Sequence, residues 1–447
     1  MVAAGAAIAV VLAACGGSSG KSSSSTTTSS STGASGSTTT PGVTPTSIKV
    51  GVTLIDYNCV KQFVDTIREH EDRVYNAFID NINKQGGING RKVVPVYNSF
   101  CPVSSDGPLA ACTQLTEDDK VFAVIGSFYD LAGDAQGCIA KQHNTPLIAF
   151  ELTKAIIDKS PHGMIVYPGV TNERAARIVL QLLKQTGRLK DKKVAVLGGD
   201  QEASTVNGTI VPQLKKDKVP LGSTAVLSIT GTDTTAAQAQ LDSFIERWKS
   251  EHVNAIFLSG DEVSSKAFVE KIRKEMPKVT LISDNTDERS AGQEETRAGL
   301  KPNPYEGLLA AGGPTTQEYL SGPNWQYCKN IYKKETGKAA PDGPAADPKA
   351  SGGKTLAVYE SINDTCQMVS MFHDIVARIG KDVTVANWVK TVNSFGEIAN
   401  RGGGQYASIN QGKYDVDDSQ RLEQFDSSLP GGGDWKALTP IKNVAGQ

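Results

Sequence analysis

Short apolar runs alternate with amphipathic stretches along most of the chain, and this alternation starts at Ile48. Residues Ile48–Asp56 are rich in Ile and Val, which predicts a buried strand. The following stretch has apolar residues at helical spacing, and the glycines within residues 86–90 end it. The apolar face of this helix comprises Val74, Ala77, Phe78 and Ile82. Further strands are predicted at Lys92–Asn98, Val121–Gly126 and Pro146–Phe150.

The same pattern restarts after Tyr167, where a helix is predicted from near Asn172. A second amphipathic helix has its apolar face at Leu241, Phe244, Ile245 and Trp248. Apolar runs predict strands at Val194–Gly198, Ala225–Ile229, Ala255–Leu258, Val279–Ile282 and Gly307–Ala311, the last leading back towards the first set. Such alternation is typical of parallel sheets with helices on both faces. Two sets therefore predict an α/β protein with two doubly wound parallel-sheet lobes.

The N-terminal residues 1–47 have a different composition, with Lys21 as the single charged residue and no aromatic residue. The apolar run over residues 2–14 is shorter than the ~20 residues that span a bilayer. Its end, Leu-Ala-Ala-Cys-Gly, resembles the lipobox of bacterial lipoproteins, which implies a signal peptide over residues 1–15 and lipidation of Cys15. No Lys or Arg precedes the run, and we expect the natural chain to start upstream of Met1.

Residues 16–47 are almost entirely Ser, Thr and Gly. Such a segment has too little apolar surface to offset the entropy lost on ordering, so a disordered tether is predicted. The whole chain of 447 residues carries a formal net charge of −2, which argues against nucleic acid as a partner. An exported protein held at the outer face of the cell membrane is the expectation.

Six cysteines remain after Cys15, and an even number in an exported chain indicates three disulfides rather than free buried thiols. Residues 324–396 are mainly helical, and a Cys328–Cys366 bond would join the helices on either side of the loop 338–353. A 2-1-3-4 strand order in the first lobe favours Cys59–Cys101 and Cys112–Cys138, although the sequence leaves the connectivity there open.

The order of segments resembles the branched-chain amino-acid-binding family of type I periplasmic binding proteins, from about residue 48 to 445. The resemblance is carried by Ile-Lys-Val-Gly-Val at 48–52, by the turn Asn-Lys-Gln-Gly-Gly-Ile-Asn-Gly at 83–90, by Ala-Val-Ile-Gly-Ser at 123–127 and by Thr-Pro-Leu-Ile at 145–148. It implies an ABC transporter substrate-binding protein whose ligand lies between the lobes, with a permease and an ATPase as partners. It also implies three hinge crossings, near Gly169, Pro314 and Gln411. The lobes would then comprise residues 48–169 with 314–411 and residues 170–313 with 412–447.

Ligands of open parallel sheets bind beyond the carboxyl ends of the strands. The loops at these ends contribute the candidate contacts Asp56, Tyr57, Ser127, Tyr129, Asp130, Glu151, Thr153, Asp200, Asp261, Asp284 and Asn285. Of these, Thr153 matches the threonine that follows the fourth strand in the family. Departures are the sequence Phe-Tyr-Asp at 128–130, where the family has small hydroxyl residues, and Glu-Leu at 151–152 in place of small residues.

These loops are acidic and aromatic and contain no Arg, which favours an amine or a polyhydroxyl ligand over a carboxylate. An alternative is purely structural: Asp130, Asp200, Asp261 and Asp284 precede predicted helices and would cap them. For Tyr57 and Tyr129 the alternative is packing at the hinge.

Enzymatic activity is disfavoured because catalytic motifs are missing. No G-x-G-x-x-G follows the first strand, and no P-loop or strand-to-helix G-x-S-x-G elbow is present. The five histidines are widely separated, and no cofactor or metal is predicted. A monomer that binds a small polar solute, which is an amino acid, an amine or a polyhydroxyl compound, is the expectation. A lipoprotein of the same fold that signals to a membrane partner remains the alternative, and neighbouring genes would separate the two.

Overall fold

The computed structural model describes residues 40–60, 66–68, 70–102, 104, 106–128, 133–150, 152–228, 235–284, 288–341, 343 and 355–447. Cys15, Tyr129, Asp130, Glu151 and Asn285 lie outside these residues, as does the predicted tether up to residue 39. No helix of the described part is long and apolar enough to cross a membrane.

The tether was predicted to extend to residue 47, which is too far, because residues 40–47 belong to the folded part. The amide of Lys49 donates to the carbonyl of Gly42 (2.7 Å), and Arg91 Nε donates to the carbonyl of Thr44 (2.8 Å). A Cβ on Gly42, whose φ is 71°, would lie 2.4 Å from the backbone of Phe122, so this close approach requires glycine. Composition missed this segment because its contacts are made by the backbone.

The first sheet is parallel and has the order β3-β1-β4-β5-β6. Its strands and the small strand beside it are β1 (Ser47–Ile55), β2 (Thr66–Ile67), β3 (Lys92–Phe100), β4 (Ala123–Gly126), β5 (Leu147–Ala149) and β6 (Ile165–Val166). The helices among them are α1 (Tyr57–Val60), α2 (Glu71–Lys84), α3 (Asp106–Thr113), α4 (Asp134–Gly137) and α5 (Lys154–Lys159). The order confirms the predicted 2-1-3-4 arrangement and extends it by one short strand.

The second sheet has the order β16-β15-β11-β10-β9-β7-β8. Strands β7 to β11 are parallel, and β15 and β16, which come last in the chain, pair antiparallel with their neighbours. Its parallel part consists of β7 (Val194–Gly199), β8 (Leu221–Leu227), β9 (Ala255–Ser259), β10 (Thr280–Ser283) and β11 (Leu309–Gly312). Helices α6 (Asn172–Gln185), α7 (Ala203–Thr205), α8 (Val211–Lys216), α9 (Thr235–Ser250), α10 (Asp261–Ser264), α11 (Lys266–Glu275) and α12 (Glu288–Arg297) accompany these strands. Strand β8 starts four residues before its predicted position.

The rest of the chain first adds helices and then completes the second sheet. The helices are α13 (Thr316–Ser321), α14 (Pro323–Thr336), α15 (Val358–Ile379) and α16 (Val385–Asn393). The strands are β12 (Thr355–Leu356), β13 (Gly396–Glu397), β14 (Ser408–Ile409), β15 (Ser419–Asp426), β16 (Asp434–Ala437) and β17 (Lys442–Asn443). Strand β15 pairs antiparallel with β11, so the second lobe has a mixed sheet rather than the purely parallel one predicted.

Strand β15 escaped prediction because most of its buried positions are polar. Arg421 and Glu423 are 3% and 2% exposed, and Arg421 Nε donates to Glu423 Oε1 at 2.7 Å. Because an ion pair occupies one buried face of this strand, the sequence lacks the regular apolar pattern that predicts the other strands.

Apolar cores cover the sheets as the strand patterns predict. On β7, Ala195 and Leu197 belong to one core while Val194 and Val196 belong to another, because alternate residues point to opposite faces. The core of the first sheet also takes in apolar residues of α13–α16, including Trp325 and Trp388. The two-lobe α/β architecture predicted from the sequence is therefore confirmed.

The three favoured disulfides are all present. Cys59–Cys101, Cys112–Cys138 and Cys328–Cys366 have Cα–Cα distances of 6.0, 6.2 and 5.7 Å. The last joins α14 to α15 across a sequence separation of 38 residues. Closing a loop of this length lowers the entropy of the unfolded chain enough to stabilise the fold by about 4 kcal/mol.

Candidate functional site

A cavity of about 850 Å³ lies where the carboxyl ends of strands from both sheets meet. The first sheet contributes Phe150, Leu152 and Thr153, which follow β5. The second sheet contributes Ser259 at the end of β9, residues 260–262 after it, and Asp284 after β10. A cavity of this size and place is where an open parallel sheet binds a small molecule.

Segments that connect the two sheets also line the cavity. They are residues 167–170 after β6, residues 312–314 at the end of β11 and beyond it, and Asp417 and Gln420 around the start of β15. The first and last of these run side by side, because the amide of Val416 donates to the carbonyl of Tyr167 (2.9 Å) and the amide of Asp417 to that of Gly169 (3.1 Å). The cavity is thus bounded by both sheets and by the chain that joins them.

The wall from the second sheet is acidic and contains Glu202, Asp261, Glu262 and Asp284. Asp284 is 3% exposed and accepts hydrogen bonds from Ser259 Oγ (2.6 Å) and from the amide of Gly260 (2.9 Å). Burial raises the pKa of Asp284 well above its ordinary value, and the nearby Glu202 raises it further. Asp284 therefore fixes the end of β9, where the chain turns into α10.

Glu262 lies in the same wall and is only half-buried. Burial raises the pKa of its carboxyl, and Asp200 and Glu202 raise it further because they carry the same charge. Glu202 is held by Asn172 Nδ2 (3.0 Å) and by Thr205 Oγ1 (2.8 Å). The wall is consequently a group of carboxyl groups that repel one another.

Gly260 allows this wall to form. Its φ is 88°, and a Cβ there would lie 2.6 Å from the side chain of Glu202. Any other residue would be strained by the backbone conformation and would displace Glu202 from its two hydrogen-bond donors.

The wall from the first lobe is formed largely by α15 and α13. Polar residues of α15 that line the cavity occur at i, i+3, i+4 and i+7, namely Glu360, Asn363, Asp364 and Gln367. Tyr319 and Tyr359 lie beside them, with ring centroids 6.3 Å apart. The Tyr319 hydroxyl is hydrogen-bonded to the Asn363 side chain and lies 2.8 Å from the carbonyl oxygen of Arg401.

One cationic side chain, Arg68, is among the described residues that line the cavity. Its guanidinium pairs with Asp364 Oδ2 at 2.6 Å and with Glu71 Oε1 at 3.3 Å. Two carboxylates therefore offset the charge of Arg68. At the connecting segments, burial raises the pKa of Asp417 to about 7.

Of the residues predicted from the sequence, Thr153, Asp261 and Asp284 line the cavity. The Thr153 hydroxyl also caps α5, since it accepts from the amide of Ile156 at 3.2 Å. Asp261 is the first residue of α10 and Gly260 is its cap, so helix capping by Asp261 is not observed. Asp284 was expected to cap the helix that follows it, but it accepts from the amide of Gly260 at the start of α10 instead.

The other described candidates, Asp56, Tyr57, Ser127 and Asp200, are not among the lining residues. Asp56 Oδ1 accepts from the amide of Asn58 (3.0 Å) at the start of α1, and Tyr57 packs against the first-lobe core. The backbone of Ser127 accepts from Thr53 Oγ1 at 3.3 Å. Asp200 begins a short 3₁₀ turn and acts on the cavity through its charge, by raising the pKa of Glu262.

Sequence reasoning missed Arg68 and the polar residues of α15. The strand-end loops contain no Arg, and Arg68 lines the cavity from a position after β2, outside those loops. Arg68 follows a two-residue strand that leaves no periodic pattern. For α15 a signal existed: four polar residues occupy one stripe at the start of a helix that is otherwise mostly buried. Such a stripe has to face either solvent or a site.

A comparison with protein families decides what kind of protein has this architecture. Residues 71–347, about three fifths of the chain, match the family described as periplasmic binding protein. The chain belongs to this family. No protein of curated function matches it.

Solved structures show the same fold. One is a solute-binding protein of an ABC transporter from Rhodopseudomonas palustris, in complex with p-hydroxybenzoic acid. It is 16% identical to this chain, the match covers 90% of this chain and 100% of that protein, and the TM-score is 0.60. A leucine-binding protein from Thermotoga maritima shares 14% identity, 90% and 100% coverage, and a TM-score of 0.59. A fatty acid ABC transporter substrate-binding protein from Thermomonospora curvata shares 16% identity, 91% and 94% coverage, and a TM-score of 0.59. The binding proteins compared have different ligands, so the fold does not identify the solute of this one.

Proposed function

We propose that this periplasmic binding protein captures a small polar solute between its lobes and delivers it to an ABC permease. The observation that carries the proposal is the cavity of about 850 Å³ bounded by both sheets and their connecting segments. A ligand there touches both lobes at once, so it stabilises a closed arrangement over an open one. The role is binding rather than catalysis.

The proposed lobes comprise residues 48–169 with 314–411 and residues 170–313 with 412–447, with crossings near Gly169, Pro314 and Gln411. The hydrogen bonds between residues 167–169 and 414–417 support this division, since they tie two crossings together. A hinge made of paired segments bends at a few backbone positions while the lobes move as rigid bodies.

We also propose that the protein is exported and anchored through lipid on Cys15. Three disulfides in the folded part support export, because such bonds persist in oxidising compartments. Replacing Cys15 with Ser would release the protein from the membrane fraction into the soluble fraction. Retention of the variant in the membrane fraction would contradict the anchor.

The first test of solute binding is thermal melting of the full chain, with its disulfides formed, against amino acids, amines, sugars, nucleosides and aromatic acids. A solute at 100 times its Kd stabilises the native state by about 2.7 kcal/mol, which raises the melting temperature by several degrees. Small-angle X-ray scattering with the same solute should show a smaller radius of gyration as the lobes close.

A matched pair of variants locates the binding. Gln201 lines the cavity, and Gln201→Trp should abolish the shift by filling it. Gln240 is exposed on α9 outside the cavity, and Gln240→Trp should leave the shift unchanged. Equal shifts in both variants would place the solute elsewhere, and no shift with any compound class would contradict solute binding.

A further inference from the structure

A second pocket, of about 450 Å³, lies in the second lobe at the amino ends of its parallel strands. It is bounded by the chain that leads into β7, β10 and β11, by α11, and by Gln424 of β15. The interlobe cavity lies at the opposite ends of these strands, where Asp284 follows β10. A molecule in the second pocket therefore would not occupy the space proposed for the solute.

The second pocket is strongly basic. Among the described lining residues there is one carboxylate, the exposed Glu306, against four cationic side chains, which are Arg188, Lys190, Lys192 and Arg273. Within the described part of the chain, none of these four cations forms an ion pair with a carboxylate. The carboxylate of Glu306 instead accepts from the amide of Ser427 at 2.9 Å. We call this the basic pocket.

Arg273 is fixed in the wall of the basic pocket by neutral groups. Its guanidinium donates to the backbone carbonyls of Pro304 (2.8 Å), Val279 and Glu306 (3.0 Å). A guanidinium has five N–H donors, so two remain for a further acceptor. Burial lowers the pKa of Arg273, and the charge of the Glu306 carboxylate offsets only part of this.

The turn between α6 and β7 supplies the other cations. Leu189 is 7% exposed and anchors this turn, while Lys192 and the exposed Arg188 and Lys190 line the pocket. The ammonium of Lys192 donates to Thr280 Oγ1 at 2.9 Å, which leaves further N–H donors free of carboxylates. Because Arg273 contacts Val279 and Lys192 contacts the next residue, the two cations meet at the start of β10.

Buried cations elsewhere in the described structure have bonded anions. The pairs are Arg174 with Asp418, Lys413 with Asp418, and Arg421 with Glu423. A cation that is partly removed from water is costly without such a partner. The basic pocket has fixed cations and no bonded carboxylate, which is the arrangement expected of a site that attracts an anion from solution.

We infer that the basic pocket binds a phosphate group, with Arg273 and Lys192 as its direct contacts and Arg188 and Lys190 adding positive charge at the exposed side. A phosphate has several charged acceptor oxygens, so it can bind a guanidinium and an ammonium at once. A pocket of 450 Å³ also has room for the group that carries the phosphate. The carrier is a soluble phosphate ester or an anionic phospholipid, since both present the same chemistry.

The test is isothermal titration of the full chain, with its disulfides formed, against glycerol 3-phosphate, inorganic phosphate and acetate at one ionic strength. A phosphate compound should bind at least about tenfold more tightly than acetate, because it accepts more charge-assisted hydrogen bonds.

Variants connect the result to the basic pocket. Lys192→Gln should weaken phosphate binding roughly tenfold, as expected when a charge-assisted hydrogen bond is lost, and Arg273→Gln should weaken it at least as much. Lys215 is exposed on α8 of the same lobe and does not line the pocket, so Lys215→Gln should leave the affinity unchanged. Melting of each variant without ligand verifies that it is folded.

Sedimentation with vesicles separates the two carriers. Vesicles of equimolar phosphatidylcholine and phosphatidylglycerol are compared with vesicles of phosphatidylcholine alone, so that any insertion of the apolar residues 2–14 is common to both. A lipid carrier predicts more protein on the anionic vesicles, and Lys192→Gln should remove most of that difference. A soluble carrier predicts binding of glycerol 3-phosphate with equal amounts of protein on both kinds of vesicle.

Two results would overturn the inference. One is that no phosphate compound binds more tightly than acetate while both kinds of vesicle retain equal amounts of protein. The other is that Lys215→Gln weakens binding as much as Lys192→Gln, because general attraction to a basic surface would then explain it. Lys192→Gln should keep the melting shift produced by a solute in the interlobe cavity, so failure of either proposal leaves the other standing.

Discussion

Replacing Arg174 with Gln should be among the most damaging single changes in the chain. Its guanidinium is 3% exposed and lies between α6 and the segment that leads into β15. It pairs with the carboxylates of Asp415 and Asp418. It also donates to three backbone carbonyls, those of Asp417 (2.9 Å), Val444 (2.8 Å) and Gln447 (3.1 Å).

The expected loss in the free energy of unfolding depends on which interactions Asp415 and Asp418 keep after the charge of Arg174 is removed. Removing one partner of a buried ion pair costs about 3–5 kcal/mol, because the other charge stays buried. Here Asp415 keeps two hydrogen bonds from Thr171, both of 3.1 Å, and Asp418 keeps the ammonium of Lys413 at 3.0 Å. This partial compensation places the expected loss in the lower half of that range, at about 3–4 kcal/mol.

Urea unfolding of the full chain with disulfides formed, followed by circular dichroism, measures the loss. Arg247→Gln is the control, since Arg247 is 64% exposed and its pair with Glu251 is a surface one worth at most about 1 kcal/mol. A loss below about 1 kcal/mol for Arg174→Gln would refute the view that this arginine neutralises the buried carboxylates.

Three further changes test other parts of the structure. Burial raises the pKa of Asp417 from 3.8 to about 7, so the protonated folded state is favoured and stability should fall as pH rises from about 4 to 7. Asp417→Asn should reduce the slope of melting temperature against pH, and Glu423, whose pKa burial also raises to about 7, should keep part of it. Cys328→Ser with Cys366→Ser should cost about 4 kcal/mol in urea unfolding, and an unchanged midpoint would contradict the loop-closure argument. Gly260→Ala should cost about 1–3 kcal/mol through strain at its positive φ, and should weaken solute binding by displacing Glu202, which titration calorimetry would detect.

A shared fold does not determine what its cavity binds. The solved structures of the same fold are a solute-binding protein in complex with an aromatic acid, a leucine-binding protein and a fatty acid ABC transporter substrate-binding protein, with TM-scores of 0.59–0.60 to this chain. Two sheets and their connecting segments form such a cavity whatever residues line it. Under the proposed function, the identity of the solute would depend on lining residues such as Glu262 and Tyr359, which the fold leaves free to vary.

Local patterns in the sequence were sufficient to predict the main parallel strands of both sheets, several of the longer helices and the two-lobe α/β fold. A strand such as β7 is buried on both faces and is therefore apolar throughout, and α2 has one apolar stripe because one face is buried. The Cys328–Cys366 pair followed from the two helices beside its loop, whereas the strand order only favoured the two first-lobe pairs and left their connectivity open. The prediction failed at β15, where Arg421 and Glu423 are buried as an ion pair, and at residues 40–47, which are held by backbone contacts.

The tertiary structure decided which side chains share the cavity. Thr153, Asp261 and Asp284 were predicted because each follows a strand, and all parallel strands of one sheet end at the same edge. Arg68 and Asp364 are 296 positions apart and meet only because β2 and α15 lie together in the first lobe. Periodicity reports which face of an element is buried, whereas contacts between distant elements depend on how the chain connections stack them, and no local pattern encodes that.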